Sequence, residues 1–258
     1  MKYTHIRNAT GILAHGGEAL LIDPYFMGKG LGDSYGGSGV KSPIVDLPMT
    51  IPEIVAQVTG VLVTHLHPDH FDEDAQRSLP KNLDVICTPP IAADIRRLGF
   101  TSVLAIDPVL EWRGGLSIAP APAQHGPRHV LYRMGHVVGY VIRASGAPTV
   151  YFAGDTILAP LVRETILAER PDIIVMNAGG AFSRGKDGPI IMDAAQVAEV
   201  LMLAPWATGL AVHLGATDHC RVTRQSLRAH VDAIGEAVSR RLLIPDDGET
   251  VDLPTPSS

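Results

Sequence analysis

Cysteine is nearly absent from this chain: 258 residues contain only Cys87 and Cys220. Two thiols with no CxxC spacing exclude a disulfide framework and a thiolate zinc finger. Cys87 ends the apolar run "DVIC" and reads as a small buried hydrophobe. An excess of positive charge is also missing, since 21 Lys and Arg against 27 Asp and Glu leave a net charge of -6. A mildly acidic chain is a poor partner for a phosphate backbone, so no nucleic-acid partner is expected. No window approaches the roughly 20 apolar residues of a spanning helix, and no membrane span is expected. The opening "MKYTHIRNATG" lacks the apolar core of a signal peptide, which makes a cytoplasmic location the expectation. What is there is ordinary globular material: 46% hydrophobic against 19% charged residues, enough for one sizeable core.

Short apolar runs and turn residues alternate along the first half. "EALLIDPYF" is a strand stopped by Pro24, and the glycine-rich stretch 27–43 reads as a flexible loop of the length that often serves function. "VLVTH" and "DVICTPP" are further strands, and "IAADIRRLGF" is a helix closed by Gly99. "EWRGGLSIAPAPA" and "HVVGYVIRAS" are strand-like. From 149 onward strands and helices alternate, with Asp193 as the candidate N-cap within the helix "MDAAQVAEVLMLA" and one last helix through "TRQSLRAHVDAIGEAVSRR". Both halves thus supply strands and helices, and two sheets with helices outside them fit this order. No repeat or composition shift divides the chain. Residues 1–245 are expected to form a single domain, followed by a polar, fraying tail over 246–258.

The chemistry concentrates in "THLHPDH", residues 64–70. His65 and His67 are two apart and share a face where an extended segment runs out. Pro68 breaks the strand, and Asp69 and His70 open the next turn. One short segment therefore offers two pairs of metal donors, and a third donor for each pair must come from elsewhere. His125, Asp155 and His213 are candidates, each placed directly behind an apolar run where strand meets loop. His129, close to His125, is an alternative donor.

These residues carry a resemblance. "THLHPDH" matches the HxHxDH signature of the metallo-β-lactamase superfamily, and "LLIDPYF", "QHG", "YFAGDT" and "AVHLG" follow in that superfamily's order over most of the chain. The resemblance implies an α/β fold, the αββα sandwich of two mixed sheets flanked by helices. It implies two divalent metal ions, zinc or manganese before iron or nickel. His65, His67 and His125 would hold the first ion, Asp69, His70 and His213 the second, and Asp155 would bridge them. Asp69 and Asp155 would be catalytic, through a hydroxide shared by the two ions.

Within the superfamily the chain resembles the short metal-dependent hydrolases of the ascorbate-6-phosphate lactonase-like group. A lactone or similar ester is then the expected substrate. "PAQHGPR" is similar to a segment of phospholipase D-type hydrolases and points to a phosphodiester as the alternative. A metal-binding sensor or scaffold without catalysis is the alternative of another class. The expected partner is a small molecule, with Arg128 and Lys186 suited to an anionic one. His219 is a candidate substrate contact, and a homo-oligomer is compatible with the sequence.

Overall fold

In the computed structural model, which describes residues 1–183 and 187–254, the elements run in the following order. The strands are β1 Lys2–Arg7, β2 Thr10–His15, β3 Glu18–Ile22, β4 Gly60–Leu62, β5 Asp84–Cys87, β6 Ser102–Ala105 and β7 Leu110–Trp112. They continue with β8 Leu116–Pro122, β9 Val138–Arg143, β10 Val150–Phe152, β11 Ile173–Asn177, β12 Thr208–Val212, β13 Leu242–Leu243 and β14 Thr250–Asp252. The helices are α1 Ile51–Val55, α2 Glu73–Ser78, α3 Pro89–Arg97 and α4 Leu131–Met134. The later ones are α5 Pro160–Glu169, α6 Ala194–Leu203, α7 Arg224–Asp232 and α8 Glu236–Ser239. None of these helices is long and apolar enough to cross a membrane.

Two seven-stranded mixed sheets result, ordered β14-β1-β2-β3-β4-β5-β6 and β13-β12-β11-β10-β9-β8-β7. Their strands are apolar on both faces because both faces are covered. Along β3, Leu20 and Ile22 point into the core between the sheets, while Ala19 and Leu21 join the layer under α1, α2 and α3. Along β11, Ile173 and Val175 point inward, while Ile174 and Met176 pack under α5, α6 and α7. The period of two thus divides each strand between an inner core and an outer one, and an αββα sandwich follows.

Three local readings change. The polar tail does not fray over its described part: β14 pairs antiparallel with β1, with Lys2 opposite Asp252, and Leu253 is buried in the core between the sheets. The free edge of β1 supplies the ladder, and Leu253 supplies apolar area that a composition reading of the tail overlooks. The last helix is two, α7 and α8, broken at Gly235, whose φ of 139° only glycine adopts readily. "EWRGGLSIAPAPA" is a hairpin of β7 and β8, with Gly114 and Gly115 at positive φ in its turn.

Several hydrogen bonds tie the two sheets, among them those from the His213 amide to the Asn8 carbonyl and from the Trp112 indole to the Asp84 carboxylate, and one of them comes from a buried tyrosine. The buried Tyr140 hydroxyl of β9 donates to the Val63 carbonyl just beyond β4, at 2.9 Å. Tyr140→Phe removes the donor and leaves that carbonyl unpaired. The expected loss is about 1–2 kcal/mol, read as a lower urea midpoint at unchanged slope. An unaltered midpoint would show that the bond carries no net stability.

Candidate metal centre

The strand ends meet at one edge of the sandwich. β3 and β4 run parallel, as do β10, β11 and β12, so their carboxyl ends open on the same side. After β4 the chain turns back on itself, with the His70 and Phe71 amides both donating to the His67 carbonyl. That turn brings His65, His67, Asp69 and His70 into one small volume. Gly154 makes the bend that presents Asp155. Its φ is 67°, and a Cβ there would sit 2.8 Å from the Val138 carbonyl, so a side chain is excluded. Asn8, Asp23 and His213 also hold positive φ, three strained non-glycine positions gathered around one site.

His65, His67, His125 and Asp155 form one group able to hold an ion, and Asp69, His70 and His213 form a second. Nε2 of His65 lies 3.0 Å from Nδ1 of His67. The two carboxylate oxygens of Asp155 face different groups. Oδ2 is 3.3 Å from His125 Nε2 and 3.9 Å from His65 Nε2. Oδ1 is 3.2 Å from His70 Nε2 and 3.9 Å from His213 Nε2. Asp69 Oδ2 lies 3.3 Å from His213 Nε2. Donors about 2.1 Å from a shared ion are separated by about 3.0–3.4 Å, so most of these spacings are those of ligand sets. Asp69 Oδ2 and His70 Nε2 are buried with no hydrogen-bond partner, which a cation would supply.

A second layer decides which nitrogen each ring presents. His70 Nδ1 lies 2.8 Å from Asp23 Oδ2, an acceptor only, so Nδ1 carries the hydrogen and Nε2 offers its lone pair. The Thr64 hydroxyl donates to the same Asp23 oxygen at 2.6 Å and must therefore accept from His65 Nδ1 at 2.9 Å. Asp23 thus sets the tautomer of both rings. His125 Nδ1 donates to the Ile190 carbonyl at 2.8 Å. The Asn8 amide donates to the Asp69 carbonyl and lies 3.3 Å from His213 Nε2, while Cys220 Sγ sits 3.4 Å from His213 Nδ1. Asn177, at the end of β11, donates to Asp155 Oδ1 at 2.6 Å. Asp23, Thr64, Asn8 and Asn177 escape a sequence reading as site residues. Asp23 lies in "LLIDPYF" and Thr64 opens "THLHPDH", but nothing in either motif states their role.

The electrostatics favour a cation. Burial, with neighbouring histidines adding to it, pushes His65 well below the ordinary imidazole value, and burial also lowers His67 and His125. Burial opposes charge on His70 too, but Asp155, Asp23 and Asp69 outweigh it and raise its pKa to about 10. His213 is likewise raised, against burial, by Cys220, Asp155 and Asp69. Burial opposes the charge of Asp69 and Asp155, yet His70 and the other rings hold both well below the carboxylate range. A field that grips protons this firmly is suited to divalent ions.

A cavity of about 300 Å³ opens over the cluster. His67, Asp69, His125 and Asp155 face it, and Tyr35, Pro68, Met134, Phe182, Ile190 and His219 line it. His219 is therefore at the cavity. Arg128 is exposed on the 3-10 turn Arg128–Val130 and is not among the lining residues. Lys186 lies outside the described residues. His129 is exposed beside Asp187, apart from both donor groups.

Comparison with known proteins agrees with this architecture. A family model described as Beta-lactamase superfamily domain matches residues 19–214. The UPF0173 protein YddR of Bacillus subtilis (strain 168) is 34% identical, covering 97% of this chain and 99% of its own length. The crystal structure of a possible metal-dependent hydrolase from Veillonella parvula DSM 2008 superposes with a TM-score of 0.92 at 32% identity, covering 97% of this chain and 98% of that one. That of an isothiocyanate hydrolase from Delia radicum gut bacteria superposes with a TM-score of 0.91 at 33% identity, covering 98% and 99%.

The Asp23 relay generates a prediction. Asp23→Asn keeps the size but turns one acceptor oxygen into a donor, which upsets the tautomer of His65, His70 or both. Metal affinity is expected to fall about 10–100-fold, measured by competition with a chromogenic chelator, with far-ultraviolet circular dichroism unchanged. Undiminished affinity would show that the relay does not orient the donors.

Proposed function

The chain belongs to the metallo-β-lactamase superfamily, and from that premise we propose that this metal-dependent hydrolase uses two divalent ions to hydrolyse a small uncharged isothiocyanate. The observation that carries the two-ion reading is the division of Asp155, one oxygen toward His65 and His125 and the other toward His70 and His213. His65, His67, His125 and Asp155 would hold one ion. Asp69, His70, His213 and the other Asp155 oxygen would hold the second. Imidazole and carboxylate donors suit zinc and manganese, and also iron and nickel. When bound, such a pair lowers the pKa of water toward neutrality and polarises an electrophile.

The chain's own residues do the rest. Asp69 faces the cavity and can orient the attacking water through a hydrogen bond. Tyr35, Pro68, Met134, Phe182 and Ile190 exclude bulk water from the reacting carbon. In R–N=C=S + H₂O → R–NH₂ + O=C=S, the water oxygen bonds to the central carbon, the C–N bond breaks, and both water protons end on nitrogen. The reaction needs no oxidant and no second substrate.

Two features support an isothiocyanate over the lactone expected from sequence. One is the likeness to the isothiocyanate hydrolase over nearly the whole of both chains. The other is the cavity lining, which among the described residues contains no Lys or Arg and sets several apolar groups beside the polar Asp33, Ser34 and Ser183. That lining also gives little support to an anionic phosphodiester. A lactone asks for the same attack on an unsaturated carbon, so it is the proper comparison substrate.

Protein loaded with Zn²⁺ or Mn²⁺ is expected to release carbonyl sulfide and benzylamine from benzyl isothiocyanate. Asp69→Ala is expected to lower kcat by about 10²–10⁴-fold. Turnover of a lactone panel with none on isothiocyanates would return the substrate to the ester class. Activity on bis-p-nitrophenyl phosphate alone would favour the phosphodiester.

A further inference from the structure

The glycine-rich loop expected to be flexible is tied to one carboxylate. Asp218, from the segment after β12, lies 180 residues or so away in sequence and meets the loop at five points. Its Oδ1 accepts the Tyr35 amide at 2.8 Å, the Gly36 amide at 3.0 Å and the Ser42 hydroxyl at 3.3 Å. Its Oδ2 accepts the Ser34 hydroxyl at 2.6 Å and the Ser38 hydroxyl at 2.7 Å. The approach is close enough that a Cβ on Gly36 would lie 3.1 Å from Asp218 and from the His219 backbone. Nearby, the Ile44 amide donates to the Ala216 carbonyl at 2.8 Å and the Phe182 amide to the His219 carbonyl at 3.3 Å.

Three aromatic rings of the cavity wall therefore hang from one short segment. Tyr35 comes through the loop, His219 is the residue after Asp218, and Phe182 bonds to the His219 backbone. The Tyr35 and His219 rings meet edge to face, with centroids 5.5 Å apart. Arg221 stacks against the Phe182 ring at 3.8 Å. Rings that line a cavity offer flat apolar surface, on which a flat apolar substituent buries more area than a small or charged one.

We propose that Asp218 is a positioning residue that clasps loop 33–42, so that Tyr35 and His219 form a wall selecting substrates that carry an aromatic or other flat apolar group next to the reacting unit. The inference rests on the reading that the donor cluster faces the reacting group, since the wall is defined by the same cavity. Asp218 touches neither donor group among the described residues. Its loss is therefore expected to alter the wall and to spare the metals.

The test uses full-length zinc-loaded protein, hydrogen–deuterium exchange, and the probes benzohydroxamate and acetohydroxamate, which share a chelating head and differ in the ring. The native chain is expected to bind benzohydroxamate at least about tenfold more tightly than acetohydroxamate. Asp218→Ala should cut that preference to about threefold or less and speed exchange of the Tyr35 and Gly36 amides about tenfold or more, at unchanged zinc content. Tyr35→Ala should cut the preference without exposing the Gly36 amide. If Asp218→Ala does not fold, Asp218→Asn, which keeps the size and loses one acceptor oxygen, should show both effects in smaller degree. An undiminished preference, slow exchange in the variant, or loss of zinc in step with loss of preference would overturn the proposal. A native chain that passes these tests yet releases no carbonyl sulfide from benzyl isothiocyanate would refute the substrate and leave the clasp standing.

Discussion

The fold is organised around a cluster that is unfavourable by itself. Five imidazoles and the carboxylates of Asp69 and Asp155 converge at the strand ends, with nitrogen and oxygen atoms facing one another across 3.0–3.9 Å. Burial removes the water that would solvate them, so protons on His70 and His213 must offset the carboxylates, while the His65 and His67 nitrogens are crowded together. Only a rigid frame can hold such an arrangement. The frame here is two sheets whose strands, apolar on both faces, end together at one edge.

Asp23 ties the two donor groups from outside, as Asp155 does from inside. Through the Thr64 hydroxyl it reaches His65 of the first group, and directly it reaches His70 of the second. Asn177 adds a hydrogen bond on the inner side, to the Asp155 oxygen that faces His70 and His213. The two groups therefore share a carboxylate between them and another behind them. Groups that share partners do not respond independently, so a change at Asp23 or Asp155 reaches both at once.

How much of this is legible in sequence depends on whether a residue's neighbours along the chain reveal its task. "THLHPDH" is legible because its four donors follow one another directly after a buried strand. His125, Asp155 and His213 are legible because each stands behind an apolar run, and the superfamily's order supplies the pairing. Asp23 sits just as close behind β3, yet a carboxylate that accepts three hydrogen bonds from beneath a site looks in sequence like any aspartate. Asn177 is hidden for the same reason. The tail misleads because composition describes an average, whereas the inward burial of one residue, Leu253, decides the outcome.

Loop 27–43 is the hardest case, since its partners are remote in sequence. A segment without a strand or helix ladder must still find partners for its backbone groups. At its base, the buried Arg7 guanidinium donates to the carbonyls of Tyr25, Met27 and Val45. Toward its middle, the Asp218 carboxylate accepts the amides of Tyr35 and Gly36. A cation takes the carbonyls and an anion takes the amides, so two opposite charges supplement the loop's own backbone bonds, in which the Gly30 and Gly32 amides donate to the Pro43 and Ser42 carbonyls. The glycines that read as flexibility allow the turns and close approaches this arrangement needs, as at Gly36 against Asp218. The candidate donors thereby sit at strand ends, and the cavity wall on a loop that two charged side chains help to pin. The wall can change with the loop while the donor cluster stays as the sheets hold it.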